Sequence, residues 1–143
     1  MHPDFELFQK LLRCYDALCK ALCRERGIPQ TSFDILMFLA NNPAYKTARD
    51  IVELRGLKAN LVSIHLERLE REGYLTRSAV AGDRRKRELH ITPKAGPIVE
   101  AGREMQQRFF AALEQDITQE QKQTVHQVLE AMRLNIDQLL EEK

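Results

Sequence analysis

The residues best suited to chemistry lie in Asp83-Arg84-Arg85-Lys86-Arg87-Glu88-Leu89-His90-Ile91-Thr92, where four consecutive cations follow one acid. Like charges this close repel unless a polyanion or a carboxylate compensates them, and Asp83 alone does not neutralise four. The matching chemistry is ionic, guanidinium and ammonium groups displayed for phosphate, with a solvated charge run as the plain alternative. A second set, Lys58, Asn60, Ser63, Ile64, His65 and Arg68, mixes cations, hydrogen-bonding groups and one isoleucine. That mixture suits phosphates, base edges and the methyl group of thymine. Catalysis is not expected. No Gly-rich phosphate loop, nucleophile-base-acid pattern or paired-carboxylate motif is present.

The elements that must position these residues follow from periodicity. Phe5, Phe8, Leu11, Leu12, Tyr15, Leu18 and Leu22 recur at helical spacing and predict a first helix of about five turns, closed by Gly27-Ile28-Pro29. Thr31 or Ser32 is the expected cap of a second helix carrying Phe33, Leu36, Met37 and Leu39, ended by Asn41-Asn42-Pro43. Thr47 and Asp50 form a capping box for a short third helix that Arg55-Gly56 stops, and another helix runs from near Lys58 to Gly73. This is helix-turn-helix spacing. Within that last helix Val62, Leu66 and Leu69 form the core stripe, leaving Asn60, Ser63, Ile64, Glu67, Arg68 and Arg71 opposite, with His65 at the border of the two faces and open to a phosphate contact or a structural hydrogen bond. Tyr74 to Ser78 reads as a strand, Ala81-Gly82-Asp83 as a turn, and Arg87 to Ile91 as the return strand, so the cations sit at a hairpin tip.

Pro93 opens a further helix through about residue 115. Thr118-Gln119-Glu120-Gln121 is a capping box for a last one in which Val125, Val128, Leu129, Met132, Ile136 and Leu139 repeat like a coiled-coil seam. These stripes, with Phe5, Phe8 and Leu12, exceed what a winged helix needs to cover itself and imply a second copy of the chain. The fold class expected is therefore mainly α with a small β-hairpin wing. A winged helix-turn-helix DNA-binding domain occupies 30–92, a dimerisation helix occupies 1–29, and it joins dimerisation helices over 93–143.

Charge agrees with that division. The net is only +1, but residues 47–92 hold ten Lys/Arg against seven Asp/Glu, a net of +3, whereas residues 93–143 hold six against nine, a net of −3. The middle is the face for nucleic acid. The start lacks a charged n-region before an apolar core, and no apolar run approaches the ~18 residues of a membrane span, so no membrane association and a cytoplasmic location are expected. Cys14, Cys19 and Cys23 are odd in number and match no zinc pattern. On the helical wheel Cys19 lies beside Phe8, Leu12 and Leu22 while Cys14 and Cys23 flank the stripe, so burial as small hydrophobes explains all three. Redox sensing is the alternative, through Cys23, near Arg24 and Arg26, or Cys19. His2, His65, His90 and His126 are dispersed, and neither a metal nor a cofactor is expected.

The order Ser63-x-x-Leu66-x-x-Leu69-Glu70-x-x-Gly73-Tyr74-Leu75-x-Arg77, then Asp83-x-Arg85-x-x-x-Leu89-x-Ile91-Thr92, resembles the MarR family of transcriptional regulators along essentially the whole chain. The resemblance implies an arginine, Arg85, that enters the minor groove, an acid, Asp83, that orients it, and terminal helices that intertwine into a two-fold dimer. It further implies a pseudo-palindromic double-stranded DNA operator, usually repressed, and a small aromatic or phenolic effector held between the dimer helices and the winged helix. Ile64 stands where many members carry a basic residue, and Ala95 precedes Gly96 where a glycine usually follows the threonine, so an unusual base preference is expected. A helical dimer acting as a ligand-binding or adaptor protein without specific DNA binding is the competing class, against which Asp83, Arg85 and the basic wing speak.

Overall fold

Asp4 and Glu6 in the first turn and Arg24 and Arg26 in the last complement the dipole of helix α1 (Pro3–Arg26) in the computed structural model, which describes residues 2–142. His2 caps this helix by accepting from the Asp4 N–H, and Gly27, at φ 67°, ends it in the left-handed region that disfavours side chains. Its 24 residues make nearly seven turns rather than about five. Helix α2 (Gln30–Asn41) corrects a second expectation. Neither Thr31 nor Ser32 caps it, because Pro29 holds that position and Ser32, fully buried, shares a 2.8 Å hydrogen bond between its hydroxyl and His65 Nδ1. The short α3 (Ala48–Asp50) has the expected Thr47–Asp50 capping box, then widens into a π turn over Ile51–Arg55.

Helix α4 (Ala59–Arg71) follows. Val62, Leu66 and Leu69 are at most 1% exposed, and burying each contributes about 1.5–3 kcal/mol, which fixes the opposite face outward. Strands β1 (Leu75–Val80) and β2 (Asp83–Ile91) pair antiparallel around Ala81-Gly82. The return strand therefore starts at Asp83, not Arg87. Its register is broken: Ala79 pairs with Arg87 but Val80 with Asp83, which leaves Arg84, Arg85 and Lys86 outside the ladder.

The hairpin base is clamped to its surroundings. Leu89 N–H donates to Lys46 O at 2.7 Å, Thr92 Oγ1 to Gly73 O at 2.6 Å, and Lys94 Nζ to Glu72 O while lying over the Tyr74 ring. Leu75 and Leu89 drop from the hairpin into a core built with Cys19, Cys23, Phe33, Ile35, Leu36, Ile51, Ile98 and Val99. A 3₁₀ turn (Pro93–Ala95) leads into α5 (Gly96–Leu113), where Gly102 passes so close to Met37 that an added Cβ would lie 2.5 Å from its sulfur. Arg103 Nη2 donates to Ala40 O at 2.9 Å and Gln106 Nε2 to Tyr15 Oη at 2.8 Å. Helix α6 (Gln119–Glu141) opens on the expected Thr118–Gln121 capping box.

The chain divides into two compact units, one extending to Gln106 and one from Gln107 onward, a boundary inside α5. The first unit is larger than the expected 30–92. Helix α1 belongs to it because Cys19 and Cys23 pack in the same core as α2. No helix among the described residues is long and apolar enough to cross a membrane.

Candidate nucleic-acid interface

The outward face of α4 is set by its buried stripe. Asn60, Ser63, Glu67 and Arg71 are exposed, and Ile64 is 59% exposed. Lys58 stands at the N-cap with no side-chain cap bond, so the first N–H groups of α4 retain their affinity for anions. From Ala59 to Leu66 the helix carries no carboxylate, whereas Glu67, Glu70 and Glu72 crowd its second half. Arg68, half-buried, is held by Glu72 at 3.1 Å, and Arg77 by Glu70 at 3.5 Å.

Of the two roles open to His65, the geometry gives it the structural hydrogen bond, through Ser32. Burial first, and Arg68 second, push its pKa below the usual histidine value. A lowered folded pKa means that the unfolded chain binds the proton more readily. The associated stability is present above about pH 6.5 and is lost as pH falls from there toward the folded pKa. We expect thermal unfolding followed by circular dichroism to show this loss, and His65→Gln, which keeps a hydrogen-bonding group, to flatten it.

In the wing, Asp83 to Arg87 are all exposed. Among the described residues none of the four cations is in an ion pair. The three that leave the ladder are braced from within. Asp83 Oδ1 accepts the Arg85 backbone N–H at 2.9 Å, so Asp83 shapes the main chain that presents Arg85 rather than binding its guanidinium. Arg87 Nη1 donates to the carbonyls of Arg84 (3.0 Å) and Lys86 (3.2 Å), so of the four cations expected on display Arg87 closes the loop that presents the other three.

The fold recurs in known proteins. The sequence profile of the MarR family matches residues 26–86, from the end of α1 into the wing. The winged helix is thus similar to that of the MarR family. Solved structures extend the likeness to the termini. A MarR transcriptional regulator from Methanosarcina mazei Go1 superposes with a TM-score of 0.79 at 17% identity, over 97% of this chain and 99% of that one. A MarR-family transcriptional regulator from Listeria monocytogenes, complexed with 26mer DNA, gives 0.81 at 14% identity, over 95% and 90%. A MarR protein from Peptoclostridium difficile gives 0.80 at 20%, over 97% and 91%. At these identities the likeness is one of fold. No curated protein sequence matches.

Outside its winged helix the chain leaves much apolar surface uncovered. In α1, Phe5, Phe8 and Leu12 are exposed. In α6, Val125, Val128, Leu129, Met132, Ile136 and Leu139 are between 46% and 62% exposed, and no described residue of that helix is buried.

The thiols divide differently from expectation. Cys14 is exposed, so packing does not account for it, while Cys19 and Cys23 are buried. Burial pushes both buried thiols up to about 11, and at Cys19 it outweighs the opposing hydrogen bond with Tyr15 and the weaker pull of Arg55. At neutral pH their thiolate fraction is then on the order of 10⁻⁴, unfavourable for a sensor. We expect a thiol reagent to label Cys19 and Cys23 only after denaturant is added; rapid labelling of either in the native protein would contradict their burial.

Leu61 stands outside the expected surface yet is 38% exposed. Its signal in the sequence is its position three residues before Ile64 and off the Val62–Leu66–Leu69 stripe. Among the described residues no group of three or more His, Cys, Asp or Glu is placed to hold a metal ion.

Proposed function

We propose that the chain is a homodimeric, sequence-specific DNA-binding transcription regulator of the cytoplasm. It acts as a repressor that leaves a pseudo-palindromic operator when a small-molecule effector binds. The observation that carries this reading is the pairing of α4, whose acid-free half faces outward, with a braced wing displaying Arg84, Arg85 and Lys86 without counter-ions. The helix suits a major groove and the wing an adjacent minor groove. The fold shared with a regulator complexed with 26mer DNA supports it.

Dimerisation accounts for the uncovered stripes of α1 and α6, and two linked half-sites supply the affinity that one winged helix lacks. For the effector, a cleft of about 370 Å³ lined by Leu12, Tyr15, Cys19, Asp34 and Arg55 has the size and mixed polarity of a small-molecule site. The Asp34–Arg55 pair at 3.3 Å offers an aromatic acid or phenol a charge to compete for.

The test is a gel shift and footprint on DNA upstream of the chain's own gene, repeated across salt and with aromatic acids. Protection of two half-sites about one helical turn apart, with affinity falling steeply as salt rises, is expected. Failure to bind any duplex at low salt would leave the adaptor class instead.

A further inference from the structure

We infer that α4 reads the C5-methyl groups of two adjacent pyrimidines through Leu61 and Ile64. The surface would accept thymine, or cytosine bearing the same methyl, and discriminate against the bases without it. The inference rests on the proposed DNA binding and specifies what that surface recognises. Leu61 and Ile64 lie about one turn apart, Ile64 opposite the core stripe and Leu61 on its flank, and they are 38% and 59% exposed. Three residues advance an α-helix by about 4.5 Å, close to the ~3.4 Å between successive bases of a strand, so the two side chains match neighbouring steps in the groove.

Their surroundings identify the occupant. Both fall within the acid-free stretch Ala59–Leu66, next to exposed Asn60 and Ser63, with Lys58 before them and Arg68 after them. An apolar protein partner would meet these polar and cationic neighbours unfavourably. A DNA groove presents phosphates at its rims for the cations, base edges for the amide and hydroxyl, and the pyrimidine C5-methyl as its apolar feature.

The test alters the DNA as well as the protein. Binding sites are first selected from a random duplex pool. Each thymine is then replaced by deoxyuridine, which keeps its pairing edge and loses only the methyl, or by cytosine and 5-methylcytosine opposite guanine. At two adjacent positions per half-site deoxyuridine should weaken binding roughly fourfold per methyl, the equivalent of ~0.8 kcal/mol for one buried methyl-sized group. At the same positions 5-methylcytosine should bind better than cytosine.

Leu61→Ala should abolish the methyl dependence at one of the two positions and Ile64→Ala at the other. Unchanged affinity for every deoxyuridine duplex, while the selected site still binds with steep salt dependence, would sink the inference and leave DNA binding standing. So would a methyl dependence that persists in both variants. If the pool yields no bound duplex at low salt, the proposed function fails and the inference with it.

Discussion

Leu129→Arg is expected to convert the protein to a monomer at micromolar concentration and to lower operator affinity by roughly two to four orders of magnitude. Leu129 is half exposed within the chain itself, so arginine there leaves the chain's own packing intact. What it would disrupt is the proposed dimer seam that Val125, Val128, Met132, Ile136 and Leu139 continue along α6, because a charge buried in an apolar interface must be desolvated without a partner. Separating the half-sites then removes the effective concentration that makes the second contact intramolecular. Sedimentation velocity and gel shift on the same samples read the two consequences together. A Leu129→Arg protein that still sediments as a dimer would show that this stripe is not the interface.

Arg85→Ala should weaken operator binding by ~1–3 kcal/mol, mainly on sites whose flanking minor groove is narrow and A·T-rich. Arg84→Ala and Lys86→Ala should behave as phosphate neutralisers, lowering affinity on all sequences alike and reducing the salt slope by roughly 0.9 for each phosphate no longer neutralised. Asp83 separates shape from charge. Its Oδ1 holds the Arg85 N–H, so Asp83→Asn, which keeps an acceptor, should be milder than Asp83→Ala. Equal binding by all of these variants across A·T-rich and G·C-rich duplexes would remove the wing from the interface.

The sequence announced those elements whose stability is written locally. Thr47 with Asp50 and Thr118 with Gln121 are capping boxes in the structure, and Val62, Leu66 and Leu69 orient α4. It misled where a residue's role is decided at a distance. Ser32 looks like a cap, but its hydroxyl is claimed by His65, 33 residues away. Cys14 flanks an apolar stripe, yet its side of α1 is exposed. Strand β2 begins earlier than alternation suggests because Asp83 to Arg87 face solvent, where no hydrophobic period marks the pairing. The division of the cations into three displayed and one bracing depends on carbonyl directions that residue type does not encode. The π turn at Ile51–Arg55 has no signature in composition either.

The clamp beneath the wing makes the hairpin a lever. Its pivot is the Leu89–Lys46 hydrogen bond, reinforced by Thr92 on Gly73, and Arg85 rides four residues beyond it. At about 3.4 Å per residue its paired part, from Leu89 to Arg87, is about 7 Å long, so a tilt of about 8° at the pivot sweeps its end, and the loop carrying Arg85 with it, through about 1 Å. A displacement of that size separates a seated groove contact from a missed one. On the proposed reading, the groove width this wing would accept is set at its fulcrum, by a backbone hydrogen bond at Lys46 and a threonine hydroxyl at the hairpin's foot.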